Sequence, residues 1–279
     1  MEFERSVLEL IKTRRSTRTY ADKEIESIML HHMEDYLHQV NREATIKVRF
    51  VLASSQTKEQ PERRKLGTYG VVTGANTFIV GILDKEEKKI TDFGYLFENI
   101  ILKATDLGLQ TCWLGGTFKK SDFEKSLDLA ENEQIVMVSP LGYKKEKMRM
   151  LETAMRKFAG SDNRKPWNEL FFDRESTMPL TKENAGLFST PLEMVRLAPS
   201  ASNKQPWRVM KEGDLFHFFL CRTKGYWATA FDMQKNDIGI AMCHFELSVE
   251  DLKLWGKWQQ EEVKNTPKEW EYITTWQGK

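Results

Sequence analysis

Apolar and polar positions along this chain follow two periods, one helical and one alternating, and the order in which they occur repeats. Val7, Leu8, Leu10 and Ile11 fall at helical spacing and predict a helix over residues 4–13 that stops near Thr13. A second helix is expected to open at Ala21-Asp22-Lys23-Glu24 with Asp22 as its N-cap. Its buried stripe would be Ile25, Ile28, Met29, His32, Met33, Tyr36 and Leu37, with His32 a core histidine. IKVRFVL (Ile46–Leu52) alternates with period two and reads as a strand, and Asn76–Leu83 reads as a more buried one. Between them SSQTKEQPERRK is a solvated loop.

DFGYLFENIILKATDLGL is the clearest helix, with a wide apolar face from Phe93 to Leu107 and Gly108 as its C′ residue. TCWLGG then turns into a short helix from Ser121, whose Ser-Asp-Phe-Glu matches a capping box, and QIVMVSPLGY is a strand. KKEKMRMLETAMRKF is expected to be partly helical. The second half repeats this order. Pro191 stands at the N1 position of a short helix, QPWRVM and LFHFFLC are strands around a Gly213-Asp214 turn, and NDIGIAMCHFELSVEDLKL is a second long helix. The tryptophans of the terminal segment TPKEWEYITTW are packing residues.

A shift of 145 residues lays the first long helix on the second. Asp92 meets Asp237, Gly94 meets Gly239, Leu102 meets Leu247, Asp106-Leu107 meets Asp251-Leu252, and Leu109 meets Leu254. Amphipathicity explains shared leucines but not the common D-x-G start and D-L-x-L end. A period this long implies two domain-sized halves, not a solenoid of short repeats.

Composition narrows the classes. In 279 residues, 42 Lys+Arg nearly cancel 41 Asp+Glu, so the net charge of +1 gives no reason to expect a nucleic-acid or membrane partner. No apolar run approaches the roughly 18 residues of a membrane helix, and the N-terminus shows no secretory signal. The three cysteines lack CxxC spacing and read as reduced thiols of a cytoplasmic protein; the five histidines form no metal motif.

Three segments carry candidate chemistry. RRSTR puts Arg14, Ser16 and Arg18 on one side of an extended stretch, suited to a phosphate, although taken alone such a pair of arginines more often makes a solvated patch. PSASNKQPW (Pro199–Trp207) offers small hydroxyl and amide groups that would let a flat ring approach the backbone, or an ordinary turn. Gly115 and Gly116 of TCWLGG permit close approach by a planar ligand, or simply end a loop.

Together, RRSTRTY, PSASNKQPW, LGLQTCWLGG, VSPLGYKKEK and NRKPWNELFF resemble the nitroreductase family of FMN-dependent oxidoreductases, over about residues 5–255. The resemblance implies an α+β nitroreductase-like fold of two pseudo-symmetric lobes in one chain, residues 1–165 and 166–279, each a β-sheet flanked by helices. It assigns Arg14, Ser16 and Arg18 to the FMN phosphate and ribityl end, with Arg164 adding to phosphate binding. Pro199, Ser200, Ala201, Ser202, Asn203 and Gln205 would line the isoalloxazine, and the backbone of Leu114, Gly115 and Gly116 would lie near flavin N5. No side chain is assigned a catalytic role and no metal is implied.

Family members are usually homodimers with two shared sites. Here the first half has QVNREAT where a PSxxNxQPW motif would stand, and the second has TKENAGLFST where RRSxR would stand. One site per chain, and a monomer that already contains its interface, are therefore expected. The implied activity is ping-pong transfer of hydride from NADH or NADPH, through flavin N5, to a small electron-poor acceptor such as a nitroaromatic or quinone. A flavin storage or sensor protein with Trp113 and Trp207 closing the ring's open face is an alternative. A third is an interaction protein that docks anions on Arg14/Arg15 and Arg63/Arg64.

Overall fold

Strand pairing and helix packing divide the chain into two compact units, described here from a computed structural model covering residues 3–55, 66–146, 163–175, 178–224 and 231–279. The segments KKEKMRMLETAMRKF and SSQTKEQPERRK fall largely outside those residues. One unit comprises Met1–Glu4, Thr13–Lys89 and Leu96–Phe158; the other comprises Arg5–Lys12, Ile90–Tyr95 and Ala159–Lys279.

The first unit is built on a three-stranded antiparallel sheet of β1 (Val48–Ser54), β2 (Thr77–Asp84) and β3 (Glu133–Leu141), in that order. The helix Ser27–Glu43 packs beside β1, where the Asn41 side chain donates to the Phe50 carbonyl at 2.8 Å and accepts from the Phe50 amide at 2.7 Å. The central strand β2 is buried through Phe78–Leu83, as its continuous apolar run requires. Leu96–Asp106, the greater part of the helix Ile90–Asp106, belongs to this unit and buries Phe97, Ile100, Ile101 and Leu102. Gly108 ends that helix in the left-handed region at φ 76°, as expected of a C′ residue.

The second unit holds a five-stranded sheet in the order β4 (Phe171–Asp173), β5 (Trp207–Glu212), β6 (Leu215–Cys221), β8 (Trp270–Gly278), β7 (Gly256–Gln259). Only β4–β5 is parallel. The helices Ser189–Leu197 and Met233–Asp251 pack together on this unit, and Phe245 sits among the rings of Phe188, Phe216, Phe218, Trp258 and Trp276. Trp276 packs into the core as the sequence suggests.

The two sheets share more than strand order. In each, the second antiparallel pairing carries a bulge: Gly81↔Met137 then Ile82↔Ile135 in one, Phe218↔Thr274 then Phe219↔Tyr272 in the other. A single shift of 137 residues superposes all four pairs. Within the second unit a Cβ on Gly94 would lie 2.2 Å from the Asn236 carbonyl oxygen, and one on Gly239 would lie 1.9 Å from the Thr91 carbonyl oxygen. These contacts exchange under the 145-residue shift, so that residue i meets j and j meets i.

Four local expectations are corrected. The second helix starts at Ser27 after Glu26, not at Ala21, and Asp22 caps nothing. His32 is exposed beside Asp35 instead of buried, because the stripe narrows to Met33, Tyr36, Leu37 and Val40. The short helix spans Lys120–Glu124, so Ser121 lies inside it and makes no cap. Pro191 is the third residue of its helix, which begins at Ser189.

Candidate functional site

In the first unit the RRSTR segment runs extended from the end of the Val7–Thr13 helix and is laced to the TCWLGG stretch. Ser16 bridges Thr111 in parallel, the Thr17 amide donates to the Thr111 carbonyl at 2.9 Å, and Thr17 Oγ1 donates to Gln110 Oε1 at 3.1 Å. Farther along, the Tyr20 amide donates to the Thr73 carbonyl and the Thr73 amide to the Arg18 carbonyl. The arginine motif and the glycine loop are therefore neighbours in one unit. Ser16 and Arg18 are half-buried, whereas Arg14 is only 6% exposed.

Arg14 faces Glu98, which is fully buried, across 3.7 Å. Burial pulls the Arg14 pKa down, and the Glu98 carboxylate works against that pull; an arginine nonetheless stays charged in a protein. Its Nε and Nη1 have no hydrogen-bond partner among the described residues. A buried guanidinium with idle donors is costly unless something accepts from it.

The loop that follows is fixed at its start and open at its end. The Cys112 amide donates to Ser139 Oγ at 3.1 Å, and Leu114 exchanges both backbone bonds with Val138. The Leu114 amide is thus spent on the sheet, and the free donors are the next two. Neither the Gly115 nor the Gly116 amide is bonded among the described residues, and a Cβ on Gly116 would meet nothing within 4 Å.

In the second unit, PSASNKQPW forms a loop with an unusual backbone. Ser202, Asn203 and Gln205 have φ of 48°, 55° and 49°, a region costly for residues with a Cβ and held only when the surroundings impose it. The surroundings are a set of hydrogen bonds. Ala201 N donates to both oxygens of Asp237 at 3.1 Å, Gln205 N donates to Ser200 Oγ at 2.9 Å, and Lys165 N donates to Gln205 Oε1 at 2.8 Å. Asn203 Oδ1 accepts from Arg164 Nη1 at 2.7 Å, and Arg164 Nε and Nη2 both donate to the Leu197 carbonyl. The Arg164 guanidinium is turned into this loop, so it shapes PSASN directly. Ser202 is the exposed tip, Pro199, Ser200, Ala201 and Asn203 are half-buried, and Gln205 is buried. Trp207 lies at 0% exposure within the unit, which leaves it no face to cover a ring.

Two residues here escape motif reading. Asp237 is buried on the Met233–Asp251 helix, and burial raises its pKa well above the usual carboxylate range, only partly opposed by the Ala201 amide. Its signal was the D-x-G shared by the two long helices. Glu98 accepts the Trp113 indole N–H at 2.7 Å as well as facing Arg14. Its signal was a lone charge on an otherwise apolar helix face.

The fold is the α+β nitroreductase fold, with two lobes. The crystal structure of a "putative nitroreductase" from Thermotoga maritima matches 99% of this chain and 95% of its own at 17% identity, with a TM-score of 0.60. A nitroreductase family protein from Clostridium difficile 630 matches 61% of this chain and 96% of its own at 21% identity, TM-score 0.41. An FMN-dependent nitroreductase from Clostridium difficile R20291 matches 50% and 88% at 22% identity, TM-score 0.38. No curated protein matches the sequence. The family model described as "Putative TM nitroreductase" matches residues 6–249, and the chain belongs to that family of oxidoreductases. Among the described residues no helix is long and apolar enough to cross a membrane, and no cluster of metal-ligating side chains occurs.

Proposed function

We propose that this chain is an FMN-dependent oxidoreductase of the cytoplasm, holding one FMN and acting as a monomer on a small electron-poor acceptor with NADH or NADPH as reductant. The observation that carries the reading is the Arg14 guanidinium, buried with Nε and Nη1 idle in a nitroreductase-family chain. A phosphate monoester suits those donors, since it supplies anionic oxygens in the geometry a guanidinium favours. Half-buried Ser16 and Arg18 would add a hydroxyl and a second cation.

The free amides of Gly115 and Gly116 would donate to the polar edge of the ring, where an N–H favours the reduced form. Pro199, Ser200, Ala201, Ser202 and Asn203 would be the ring-lining residues, as the family resemblance implies, with Arg164 and Gln205 holding their loop in shape. Bound FMN would supply the redox chemistry, taking hydride at N5 and passing reducing equivalents to a nitroaromatic, a quinone or a similar acceptor in ping-pong order. We read the shared bulge and the reciprocal glycine contacts as an internal duplication, which supports one chain doing the work of a dimer. The test is a visible spectrum with flavin-to-chain stoichiometry, followed by stopped-flow mixing with NADH or NADPH. Bleaching near about 450 nm is expected. Purified protein that neither carries FMN nor takes it up refutes the reading; a flavoprotein that does not bleach is a storage protein instead.

A further inference from the structure

Glu98 joins two stretches of chain that no motif links. It sits in the Ile90–Asp106 helix, wholly buried beside Phe97, Asn99 and Ile100. A carboxylate there must be paired to be tolerated. One oxygen accepts the Trp113 indole N–H at 2.7 Å and the other faces Arg14 Nε at 3.7 Å. Trp113 is two residues before Gly115; Arg14 is two residues before Ser16. The Ser16–Thr111 bridge aligns the two backbones but leaves both side chains free to turn. Edge contact with Phe97, at 4.7 Å between ring centroids, supports the indole from one side, and Glu98 fixes its polar end.

The spacing to Arg14 matters as much as the contact. At 3.7 Å the carboxylate attracts the guanidinium without taking the Nε hydrogen. Arg14 is thereby aimed while its Nε and Nη1 stay idle among the described residues. We propose that Glu98 is a positioning residue for the flavin site, setting the Arg14 guanidinium and the Trp113–Gly116 loop at one spacing so that a single FMN engages both. This rests on the FMN reading, and it assigns Glu98 no contact with the ligand.

The test compares FMN with riboflavin, which has the same ring and ribityl chain but no phosphate. Flavin-stripped wild type, Glu98→Gln, Trp113→Phe and Arg14→Gln are titrated with each, following flavin fluorescence. Glu98→Gln keeps an acceptor for the indole and removes the charge facing Arg14. It is expected to weaken FMN about ten-fold while changing riboflavin less than about two-fold. In the Arg14→Gln background the same change adds no further FMN loss. Trp113→Phe weakens both flavins alike. Equal losses of FMN and riboflavin in Glu98→Gln mean a general packing role and overturn the proposal, as does unchanged FMN affinity. Wild type that binds neither flavin overturns the functional reading itself, and the proposal with it.

Discussion

Replacing Gly239 by alanine separates two effects of opposite sign. Helix propensity alone favours the alanine by about 1 kcal/mol in the middle of the Met233–Asp251 helix. The crossing opposes it. The new Cβ would stand 1.9 Å from the Thr91 carbonyl oxygen and 2.7 Å from the Tyr95 amide nitrogen. An ordinary carbon–oxygen contact is about 3.3 Å or longer. The obstruction is backbone on a helix, not the end of a flexible side chain, so the contact must open by about 1.4 Å. A gap of that size forfeits about half or more of the dispersion well for each contact along the crossing.

Overpacking of this kind costs about 3 kcal/mol, the upper end of its usual range. The net destabilisation of Gly239→Ala is then about 2 kcal/mol, or a melting temperature lower by about 4–8 °C. Gly94→Ala meets the Asn236 carbonyl oxygen at 2.2 Å and should behave alike. Because one separation of the helices relieves both clashes, the double variant should lose less than the two single losses added together. Gly116→Ala is the control, with nothing within 4 Å of its Cβ. Thermal unfolding followed by circular dichroism reads all four. A Gly239→Ala protein that melts at or above wild type would mean that propensity outweighs the crossing, and the close-approach argument fails.

Other expectations follow from named contacts. Asp237 has its folded pKa raised by burial, so the stability it contributes is complete below about pH 3.9 and falls as pH rises toward the folded value. Denaturant midpoints of wild type and Asp237→Asn should accordingly diverge with increasing pH; a constant difference from acid to neutral pH would disprove the assignment. Glu133 is held below its usual range first by its side-chain bond to Arg49, with contacts of 2.6 and 2.8 Å. Glu133→Gln should cost about 0.5–1 kcal/mol in urea unfolding at pH 7, after allowance for solvent screening, and the cost should vanish as pH falls through the folded pKa. Phe245→Ala empties the centre of the second unit's aromatic cluster and should cost about 3–5 kcal/mol, read as a shift in urea midpoint at constant slope.

What could be read from sequence divides along a physical line. Local periodicity found β2, β6 and both long helices, because their apolar positions face one core and the pattern survives whatever packs there. It misplaced the start of the Ser27–Glu43 helix, since Asp22 matches a capping preference that the tertiary path of residues 14–20 overrides by pairing them with Thr73 and Thr111. It passed over β4 and β7, which are too short to show alternation and exist by joining strands already in place. Among the candidate site residues, Arg14, Asn203 and Gly115 stood out by type and neighbours. Arg164 was legible as a basic residue but not as one whose donors go to Leu197 and Asn203, 33 and 39 residues onward. Glu98 and Asp237 were hidden because a charge inside an apolar helix stripe acquires meaning only from its partner.

The 145-residue correspondence also shows where the two units differ in sequence and hydrogen bonding. Under the 145-residue shift Trp113 corresponds to Trp258 and Leu114 to Gln259. Leu114 bridges Val138 on β3, and Gln259 pairs with Thr275 on β8, the position reached from Val138 by the 137-residue shift. Each indole also donates to a glutamate of a long helix, Trp113 to Glu98 and Trp258 to Glu246, although the shift takes Glu98 to Cys243, three residues before Glu246. The next two positions break the equivalence: Gly115-Gly116 becomes Gln260-Glu261. There the Glu261 amide donates to the Tyr272 hydroxyl at 2.9 Å, and Gln260 Nε2 donates to the Ile273 carbonyl at 3.1 Å. The amide at the Gly116 position is thus bonded within the second unit, and both positions there carry long polar side chains in place of glycine. On this ground the saturated protein should carry one FMN per chain, measured by flavin absorbance against protein mass; two per chain would show that the second loop opens for a ligand despite its own hydrogen bonds.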